Sequence, residues 1–569
     1  MKNIATIPLL FLPFSGIGQT YVPSPIFGNN GAVRQDVIIG ADGANAHALL
    51  PDGKLLLVGD GYDININSFH VSLMRIDTVC GTLDTTFGVG GKIAQTHLQR
   101  TQCWDIAVQP DGKIVGCGMI APSNSGSQQM AGVFRFNADG SVDSTFNGTG
   151  YHQALWDVTS SGRLWRPFVN ADGSITCAGT SMGNINGGSY AMGAMRFTST
   201  GAFDPSFNGD GIVTVPIVVN SSGTGAMRPD GRLLVVGNTW SNEVAMAQFN
   251  TDGTLDTTFG SGGMIITPVI TTTGIPGGFG ASLLPDGRIL VSGPVSTGSN
   301  GFLMARFLAD GTLDSTYATN GISAVTLVAT SPGYDHELLA DGSTLQYGIS
   351  NGVGTVLKRD ADGQVVATFG TNGFVFATTG GSNEEFLGGF TLHSGRIVGY
   401  GGATGTHMLA LKLTTDPIAD ALPSIAIDGT ELVTAGSGTF QWYLDGNLLL
   451  GETGNTITPL QNGVYTVTMT ISSDCVYTSD PFNMLSVGIG ATEANDMHLL
   501  NNPVLDLLVV MNPGARTPYA LLGLRGTWLG SGLLMNGRNE IDLSGSASGI
   551  YLLRTPELVG DHEQRVVKL

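Results

Sequence analysis

Apolar and polar residues alternate along most of this chain in short runs separated by glycine-containing turns. In one stretch, a run from Asp105 to Gln109 leads into Pro110-Asp111-Gly112, and Lys113 to Gly118 follows. Proline at the first corner and glycine after aspartate favour a tight reversal, so the two runs predict a β-hairpin. Ala131 to Phe136 predicts a third strand, and the residues after Gly150 predict a short fourth strand. No helical periodicity interrupts the pattern.

The same four-strand unit recurs. A short motif occurs seven times, in step with an Asp-Gly turn. It consists of an aromatic residue followed by Gly, Asn or Ala, with a glycine three or four positions after the aromatic. A period of roughly 50–60 residues built from short strands predicts a solenoid or a propeller. The aromatic series is Phe27, Phe87, Phe146, Phe207, Phe259, Tyr317 and Phe369; the turn series starts at Asp52, Asp111, Asp172, Asp230, Asp286, Asp341 and a degenerate Ser394.

The two ends of the repeat array are incomplete in complementary ways. The first aromatic motif, at Phe27, has no hairpin before it, and the last hairpin, which ends at Leu413, has no aromatic motif after it. We therefore expect the start of the chain to complete the last sheet and to close seven blades into a ring without exposed edges. The strand Ala32 to Ile39 is either the outermost of that last blade or the innermost of the next. An open β-solenoid is the alternative.

Charged residues recur within the repeat. An arginine on the third strand precedes an aspartate in the connecting turn by eight or nine residues, and lysine replaces arginine where the aspartate is absent. A planar guanidinium suits a carboxylate, so we interpret the pairs as structural forks that brace each turn. The pairs are Arg75 with Asp84, Arg135 with Asp143, Arg196 with Asp204 and Arg306 with Asp314; the lysine copies are Lys358 with Val366 and Lys412 with Ser24, and Gln248 with Asp256 breaks the rule.

The repeat resembles a known module. The copies Phe136 to Phe146 and Leu255 to Gly260 are similar to the delta-60 repeat of bacterial surface and exported proteins. The resemblance extends from about Phe27 to Leu413. It implies a β-propeller without an assigned biochemical activity.

The pattern changes after Thr414, where two Xaa-Pro pairs mark a linker at 415–423. From Ser424, a tryptophan on a central strand, Trp442, and a tyrosine opening a later strand, Tyr465, resemble an immunoglobulin-like sandwich. We interpret Trp442 as a core residue, with a sugar-stacking platform as the alternative. Because Cys475 stands alone in this segment, we expect an Ig-like module at 424–488 without a disulfide.

The last segment, 489–569, contains five apolar blocks in a characteristic order. They resemble the carboxy-terminal sorting domain of the type IX secretion system, although Asn501 stands where proline is commoner. The resemblance implies translocation across a bacterial outer membrane by that machinery, followed by release or surface attachment. An ordinary sandwich domain is the alternative. The blocks are Leu500 to Val504, Leu521 to Gly526, Ile541 to Leu543, Gly549 to Leu553 and Val566 to Leu569.

Composition and charge agree with an exported, turn-rich chain. Gly accounts for 84 of 569 residues, and the net charge of −20 with 25 Lys and Arg argues against a nucleic-acid partner. Lys2, an apolar stretch at Ile7 to Phe14 and the small residues before Gly18 form a signal-peptide pattern, so we predict a signal peptide at 1–18. The alternative is a buried amino-terminal strand. No later stretch is long and apolar enough to predict a transmembrane helix.

The five cysteines are too scattered for a disulfide framework. One bond among the first four, Cys80, Cys103, Cys117 and Cys177, is possible. Cys117 and Cys177 both follow an Asp-Gly turn, but one position apart in register. Their side chains should therefore point to opposite faces, as buried apolar residues do.

Few residues suggest chemistry. The nine His are dispersed without metal-ligand spacing. Gly348-Ile349-Ser350-Asn351-Gly352 matches a nucleophile-elbow string, but it falls between two strands. Asp63, Asn65 and Asn67 are spaced like the start of a calcium loop, without the later glycine and glutamate, so a polar hairpin is the simpler interpretation. The candidates for a central channel lie on strands that enter the hairpins: His47, Asp105, Asp335, His336 and Glu337.

We therefore expect an all-β protein: a seven-bladed propeller at 19–414 followed by two small β-sandwich domains. We expect a noncatalytic binding or adhesion protein, secreted or on the outer surface of a bacterial cell. Its propeller loops, such as Ala121 to Met130 and Ser181 to Ser189, would bind an extracellular glycan or protein. The competing hypothesis is a polysaccharide-acting enzyme, which a cluster of Asp, Glu, His or Tyr from several blades at one channel opening would favour.

Overall fold

The chain folds as an all-β protein whose repeats form a β-propeller of four-stranded sheets. Among the residues that the structure describes, every regular element is a strand. This structure is a computed structural model, and it describes residues 20–568 apart from 96–99, 123–128, 157–160, 183–189, 220–222, 240, 242, 269–279, 297–299, 328–332, 378–383, 393, 404–406, 416–419, 473–474, 485–497, 501, 503, 513–515, 524–526 and 558–559.

Each of the first six sheets is an antiparallel meander whose four strands follow one another in chain order, as the sequence predicted. We number the sheets 1 to 6 and the strands along the chain. Two short strands precede sheet 1, namely β1 (Val22–Pro23) and β2 (Ala32–Gln35). The strands of sheets 1 to 3 are β3 (Gly40–Leu49), β4 (Lys54–Asp63), β5 (Ser68–Asp77), β6 (Lys92–Ala94); β7 (Arg100–Val108), β8 (Ile114–Ala121), β9 (Met130–Phe136), β10 (Tyr151–Ala154); β11 (Ser161–Val169), β12 (Ile175–Met182), β13 (Tyr190–Phe197), β14 (Ile212–Val219). Those of sheets 4 to 6 are β15 (Gly223–Met227), β16 (Leu233–Asn238), β17 (Glu243–Phe249), β18 (Met264–Pro268); β19 (Gly280–Leu283), β20 (Ile289–Ser296), β21 (Asn300–Phe307), β22 (Ile322–Thr326); β23 (Gly333–Leu338), β24 (Thr344–Ser350), β25 (Val353–Arg359), β26 (Phe374–Ala377).

Sheet 7 joins the two ends of the repeat array. Its strands β27 (Glu384–Thr391), β28 (Ile397–Ala403) and β29 (His407–Thr414) come from the last repeat. Both β1 and β2 pair antiparallel with β29, with Ala32 opposite Leu411. The start of the chain therefore completes the last sheet. The strand at Ala32 belongs to the outer edge of that sheet, which decides the question that the sequence left open.

The hydrophobic core lies between neighbouring sheets. One cluster joins Val115 and Val133 of sheet 2 to Leu164 and Ile175 of sheet 3. A corresponding cluster joins residues of sheet 7 to residues of sheet 1, including Val398 and Leu55. First strands of successive sheets also contact one another in a cycle, and β27 returns to β3. The alternating pattern therefore buries both faces of each sheet.

Cys117 and Cys177 lie in the core cluster between sheets 2 and 3, where both are free and buried. They point to opposite faces of their own sheets, and these two faces are packed against each other. The predicted difference in register therefore brings the two thiols into one interface.

The repeated arginines link neighbouring sheets. Arg135 Nε lies 2.6 Å from Asp143 Oδ2, while Nη1 donates to the Ser199 carbonyl in the next sheet at 2.6 Å. The third nitrogen, Nη2, donates to Thr145 Oγ1 at 3.2 Å. Arg135 and Asp143 therefore do not form the bidentate pair that the sequence predicted, because two of the three guanidinium nitrogens bind other groups. The other Nε–Oδ2 distances are 2.6 Å for Arg75–Asp84, 2.9 Å for Arg196–Asp204 and 2.7 Å for Arg306–Asp314.

In the fourth repeat, where Gln248 stands at the third-strand position, the guanidinium comes from a different residue. Arg228, at the hairpin turn of sheet 4, binds the Gln248 side chain. Its Nη2 donates to the Ala309 carbonyl of sheet 5 at 2.9 Å. The third-strand arginines of the other repeats donate to the equivalent carbonyl of the next sheet. The Arg228 guanidinium therefore takes the place of the arginine that the fourth repeat lacks.

In the repeat that forms sheet 7, the carboxylate of this contact belongs to Asp420, in the predicted linker. Asp420 accepts the Ser24 hydroxyl at 2.7 Å and Arg396 Nε at 3.0 Å, and it is fully buried. Lys412 Nζ donates to the Val79 carbonyl of sheet 1 at 2.7 Å. The contact between sheets 7 and 1 therefore follows the same scheme as the internal contacts.

Two further groups of strands follow the propeller. The first has two sheets that share one core cluster around Trp442, which is fully buried. The second likewise has two sheets around one cluster. The strands of the first are β30 (Ile425–Asp428), β31 (Glu431–Thr434), β32 (Thr439–Leu444), β33 (Asn447–Leu448), β34 (Thr456–Ile457), β35 (Gly463–Ser472), β36 (Cys475–Thr478) and β37 (Phe482–Met484). Those of the second are β38 (His498–Leu499), β39 (Leu507–Asn512), β40 (Thr517–Gly523), β41 (Trp528–Leu534), β42 (Gly537–Asp542), β43 (Gly549–Glu557) and β44 (Gly560–Lys568).

A disulfide joins the propeller to the segment that follows it. Cys475 bonds to Cys80, in the turn after β5, across a sequence separation of 395. Ile26 of the propeller lies in the same core cluster as Trp442, and the Tyr477 hydroxyl donates to the Ile26 carbonyl. The expectation that Cys475 is unpaired is therefore wrong, and Cys80 does not pair with another of the first four cysteines. Only tertiary docking brings two residues so distant in sequence together.

Candidate functional site

The first strand of several sheets carries a β-bulge at an equivalent place. A bulge bends its strand and changes the direction of the side chains beside it, and such bulges often border functional sites. Here the bulges lie on the strands that contact one another around the cycle. The register shifts occur between Ala44 and Ala46, Cys103 and Asp105, Leu164 and Arg166, Gly333 and His336, and Phe386 and Gly388.

These bulges surround a cavity of about 490 Å³. This volume falls within the range of small-molecule sites, roughly 300–1,000 Å³. Residues from sheets 1, 2, 3, 4, 6 and 7 contribute to its wall, so six of the seven sheets form the cavity. Its aromatic lining includes His47, Trp104, Trp165, Tyr334 and Tyr400, and its charged lining consists of Asp60, Asp105, Arg166, Asp335 and Glu385.

Three of the charged residues occupy the same position in their repeats. Asp105, Arg166 and Asp335 each precede the aspartate of the following Asp-Gly turn by six residues. Arg166 Nε lies 3.2 Å from Asp105 Oδ2. The charge of Arg166 also lowers the pKa of Asp335, although burial raises that pKa overall. Residues at the same position in three different repeats thus place two carboxylates and one guanidinium around the cavity.

Burial controls the protonation of this site. Desolvation raises the pKa of Asp105 to about 6, against the opposing effect of Arg166. Desolvation and the charge of Arg166 lower the pKa of His47 to about 4, so this imidazole is neutral at pH 7. Burial also raises the pKa values of Asp60 and Glu385. The cavity is therefore rich in carboxylates that are partly desolvated, with Arg166 as the cation on its wall.

Two glycines leave room at the shared register position. A Cβ on Gly388 would come 2.2 Å from the Tyr400 hydroxyl, and one on Gly280 would come 2.1 Å from Asp335 Oδ1. The Tyr400 hydroxyl and the Asp335 carboxylate thus occupy space that larger residues at these positions would fill.

One side of the cavity is aromatic. The Trp104 and Trp165 rings have centroids 4.7 Å apart, and the Arg163 guanidinium lies 5.5 Å from the Trp104 ring. Trp165 Nε1 donates to Thr180 Oγ1 at 3.1 Å, which fixes the ring. Aromatic faces beside carboxylates can bind the apolar face of a sugar ring or an organic cation.

The structure separates the sequence-predicted channel candidates. His47, Asp105 and Asp335 lie on the cavity wall. His336 lies behind the wall and shares a 2.7 Å hydrogen bond with Ser292, and Glu337 accepts the Thr391 hydroxyl at 2.8 Å. The side chains of His336 and Glu337 are therefore held by residues of the neighbouring sheets and do not line the cavity.

Sequence reasoning missed most of the wall, namely Arg166, Trp104, Trp165, Tyr400 and Glu385. The signal that could have found Arg166 is its fixed offset from the Asp-Gly turn, which it shares with Asp105. Tyr400 lies on β28, the second strand of its sheet, and its side chain reaches the cavity beside Gly388. A fixed distance in sequence from the Asp-Gly turn does not predict this approach. The predicted specificity loops Ala121 to Met130 and Ser181 to Ser189 lie largely outside the described residues.

The other candidate motifs form local structure. Asp63 Oδ1 accepts the Asn65 backbone N–H at 2.8 Å, and Asn67 binds the Tyr62 hydroxyl, within the hairpin between β4 and β5. Asn351 and Gly352 have φ of 50° and 79° and form the tight turn after Ser350. In the described part of the chain, the residues grouped closely enough to hold a metal ion are Asp77, Cys80 and Cys475, whose two sulfurs form the disulfide.

A family model described as a domain of unknown function (DUF5122) with a β-propeller fold matches residues 50–87, 109–146, 171–207, 228–259 and 284–317. These segments fall in sheets 1 to 5. A comparison with curated protein sequences finds no significant match.

The chain is also similar, at low identity, to several solved structures. A protein of unknown function from Dyadobacter fermentans is 13% identical, with 67% of this chain and 98% of that chain covered and a TM-score of 0.32. PorZ, a surface component of the type IX secretion system of Porphyromonas gingivalis, is 11% identical, with 94% and 74% covered and a TM-score of 0.22. An α-L-arabinanase of Penicillium chrysogenum is 13% identical, with 62% and 98% covered and a TM-score of 0.32.

Proposed function

We propose that this chain is an exported noncatalytic binding or adhesion protein whose propeller binds an extracellular glycan or protein. The observation that carries the proposal is the cavity at the centre of the sheets. It combines the Trp104 and Trp165 rings with Asp105, Arg166 and Asp335, which come from three different sheets. Convergent polar groups beside aromatic walls are typical of ligand sites.

We infer that the propeller of delta-60-like repeats, residues 19–414, is a closed ring of seven blades. The pairing of β1 and β2 with β29 supports this interpretation, as does the cycle of contacts among the first strands. Such a ring removes the exposed edges that an open solenoid would present. It also holds the cavity residues on rigid strands.

We infer that residues 424–488 form an Ig-like sandwich after the 415–423 linker. Trp442 lies at the centre of the core and donates from Nε1 to the Gly454 carbonyl at 2.9 Å. Tyr465 donates its hydroxyl to the Gln461 carbonyl at 2.9 Å, four residues upstream, as a tyrosine corner does. The bond from Cys475 to Cys80 attaches this module to the propeller.

We infer that residues 489–569 are a type IX sorting domain and that the secretion machinery is its partner. All five sequence blocks contribute to the fold of this segment. Val504, Leu521, Ile541, Leu553 and Val566 share one core cluster. Asn502 ties the first block to the last, because its side chain donates to Arg565 and accepts the Val567 N–H.

The proposed location is the cell exterior or outer surface of a bacterium. The predicted signal peptide at 1–18 lies outside the described residues, so this location rests on the sequence pattern. Among the described residues, no helix has the length and apolar character needed to cross a membrane. Mass spectrometry of the amino terminus of protein recovered from the culture medium tests cleavage after Gly18.

A glycan array with the purified full chain tests the binding function. We expect selective binding that Trp165→Ala weakens at least tenfold, because this change removes an aromatic wall. Trp528→Ala is the matched control, since Trp528 is 63% exposed in the last segment, far from the cavity in sequence. Equal loss in both variants, or binding to no glycan and no extracellular protein, would overturn the proposal.

A polysaccharide-acting enzyme is the second candidate, and one observation favours it. Carboxylates from several sheets do cluster at the cavity, and burial holds the pKa of Asp105 near 6. A carboxyl with that pKa can exchange protons near neutral pH, as a general acid or base must. Turnover in a hydrolase screen that Asp105→Asn abolishes would establish this function instead.

A further inference from the structure

Two carboxylates on the cavity wall, Asp335 and Glu385, form no direct ion pair with a described residue. Asp105 is paired with Arg166, and Asp60 accepts the side-chain amides of Asn45 and Gln102 at 2.6 and 2.9 Å. In contrast, the Asp335 carboxylate accepts the backbone N–H of His336 at 2.8 Å and forms no ion pair with a described residue. The Glu385 side chain likewise forms no ion pair or hydrogen bond within the described part of the chain. Partly desolvated carboxylates without a cation are unfavourable.

Two buried phenols face the same space. Tyr400 is 3% exposed and Tyr334 is 7% exposed, yet both line the cavity. Neither hydroxyl forms a hydrogen bond with a residue that the structure describes. The Tyr400 hydroxyl points to the position where a side chain on Gly388 would stand. Both hydroxyls are open to the cavity, where the polar groups of a ligand can serve as their hydrogen-bond partners.

The charge balance narrows the chemistry of that ligand. Four carboxylates against Arg166 disfavour an anion. The close metal-type groups found among the described residues do not include the cavity carboxylates, so the arrangement does not favour a divalent cation. An organic cation remains, and the aromatic walls favour it because ring faces attract ammonium groups.

We propose that the cavity binds the protonated amine of an unacetylated hexosamine in a saccharide, with the ammonium between Asp335 and Glu385. The sugar ring packs against the Trp104 face, and the hydroxyls of Tyr334 and Tyr400 bind sugar oxygens. This proposal rests on the proposed glycan-binding function and names the class of glycan. The amine supplies the charge that Asp335 and Glu385 lack.

Isothermal titration calorimetry on the full chain tests the proposal with three probes: a glucosamine trisaccharide, the N-acetylglucosamine trisaccharide and 1,5-diaminopentane. We expect the glucosamine probe to bind and the acetylated probe to bind at least about tenfold more weakly, since acetylation removes the charge that a charge-assisted hydrogen bond needs. The diamine distinguishes a sugar site from a general amine site, and we expect it to bind more weakly than the glucosamine probe.

Three variants locate the site. Glu385→Gln and Asp335→Asn should each weaken glucosamine binding about tenfold, and Tyr400→Phe should weaken it a few-fold. Glu431→Gln, exposed on β31, is the control and should bind as the parent chain does. Thermal unfolding of each variant checks its fold. If Asp335→Asn does not fold, Glu385→Gln decides, because the Glu385 side chain has no hydrogen bond or ion pair with a described residue to lose.

Each other outcome overturns the inference. Equal binding of the two trisaccharides, or preference for the acetylated one, would show that charge does not select the ligand, while glycan binding by the propeller would stand. Stronger binding of the diamine than of the glucosamine probe would exclude a saccharide site. Failure of all three probes would exclude this ligand class. The proposed function would fail as well only if the glycan array and the extracellular-protein assay were also negative.

Discussion

The backbone N–H of Gly28 donates a 2.7 Å hydrogen bond to the carbonyl of Cys80. Gly28 follows the first aromatic motif, in sheet 7, and Cys80 lies in a turn of sheet 1. The residue after the aromatic makes the same bond to the next sheet in five other repeats, always with positive φ. These bonds are Gly88 to Asp139, Asn147 to Thr200, Asn208 to Asp252, Gly260 to Asp310 and Ala318 to Asp362.

Replacement of Gly28 should destabilise the contact between sheets 7 and 1. Gly28 has φ of +56°, and a Cβ there would lie 2.2 Å from the Ala32 carbonyl oxygen. We expect Gly28→Ala to lower the free energy of unfolding by about 3 kcal/mol, measured by urea unfolding. Gly90→Ala is the matched control, because Gly90 has φ of +60° with open space around its Cβ. It should cost about 1 kcal/mol, and equal losses would show that the clash is unimportant.

The Cys80–Cys475 disulfide should stabilise the docking of the second module. We expect Cys475→Ser to lower the melting temperature under oxidising conditions, with a loss of about 2–5 kcal/mol. Differential scanning calorimetry measures it. Cys80→Ser should have the same effect, and the double variant should add little because one bond is lost in all three. Non-reducing peptide mapping should recover a peptide pair that contains both cysteines. A linked pair among Cys103, Cys117 and Cys177 would contradict the assignment.

Arg228 should be essential to the fourth copy. We expect Arg228→Ala to cost about 2–3 kcal/mol in urea unfolding, because the buried Gln248 side chain and the Ala309 carbonyl lose a charged donor. Adding Gln248→Arg should restore much of the loss, since it recreates the arginine of the other copies beside Asp256. Arg538→Ala, at an exposed pair with Glu540, is the control and should cost less than about 1 kcal/mol. If Gln248→Arg does not restore stability, the interpretation that Arg228 takes the place of the missing arginine is wrong.

Asp314 should contribute stability that is lost in acid. Its bonds to Thr316 and Arg306 outweigh burial and lower its pKa from 3.8 to about 2. A carboxyl with a depressed pKa in the folded state stabilises above the unfolded pKa, and this contribution disappears as pH falls from about 4 to about 2. Asp314→Asn should cost about 2 kcal/mol at pH 7 and much less at pH 2. Urea unfolding across pH measures it, with exposed Asp428→Asn as the control. A constant difference between pH 7 and pH 2 would contradict it.

The positions of the cavity residues show what an offset in sequence can predict. Asp105 and Asp335 were identified because they enter a hairpin, and the same offset would have given Arg166. Glu337 was misplaced because its carboxylate accepts the backbone N–H and the hydroxyl of Thr391 in the adjacent sheet. Tyr400 could not be found by offset, because its approach depends on the missing side chain at Gly388.

The amino-acid sequence by itself determined the strands, the turns and the repeat, because these depend on local alternation and on residues such as Gly28 and Asn147 that accept positive φ. It also determined that the two ends of the array complement each other. Tertiary structure alone decided the partner of Cys475, the role of Asp420 in sheet 7 and the convergence of Arg166 with Asp105. These contacts join residues from different sheets, or more than 390 residues apart in the case of Cys80 and Cys475, and no local pattern encodes such distances.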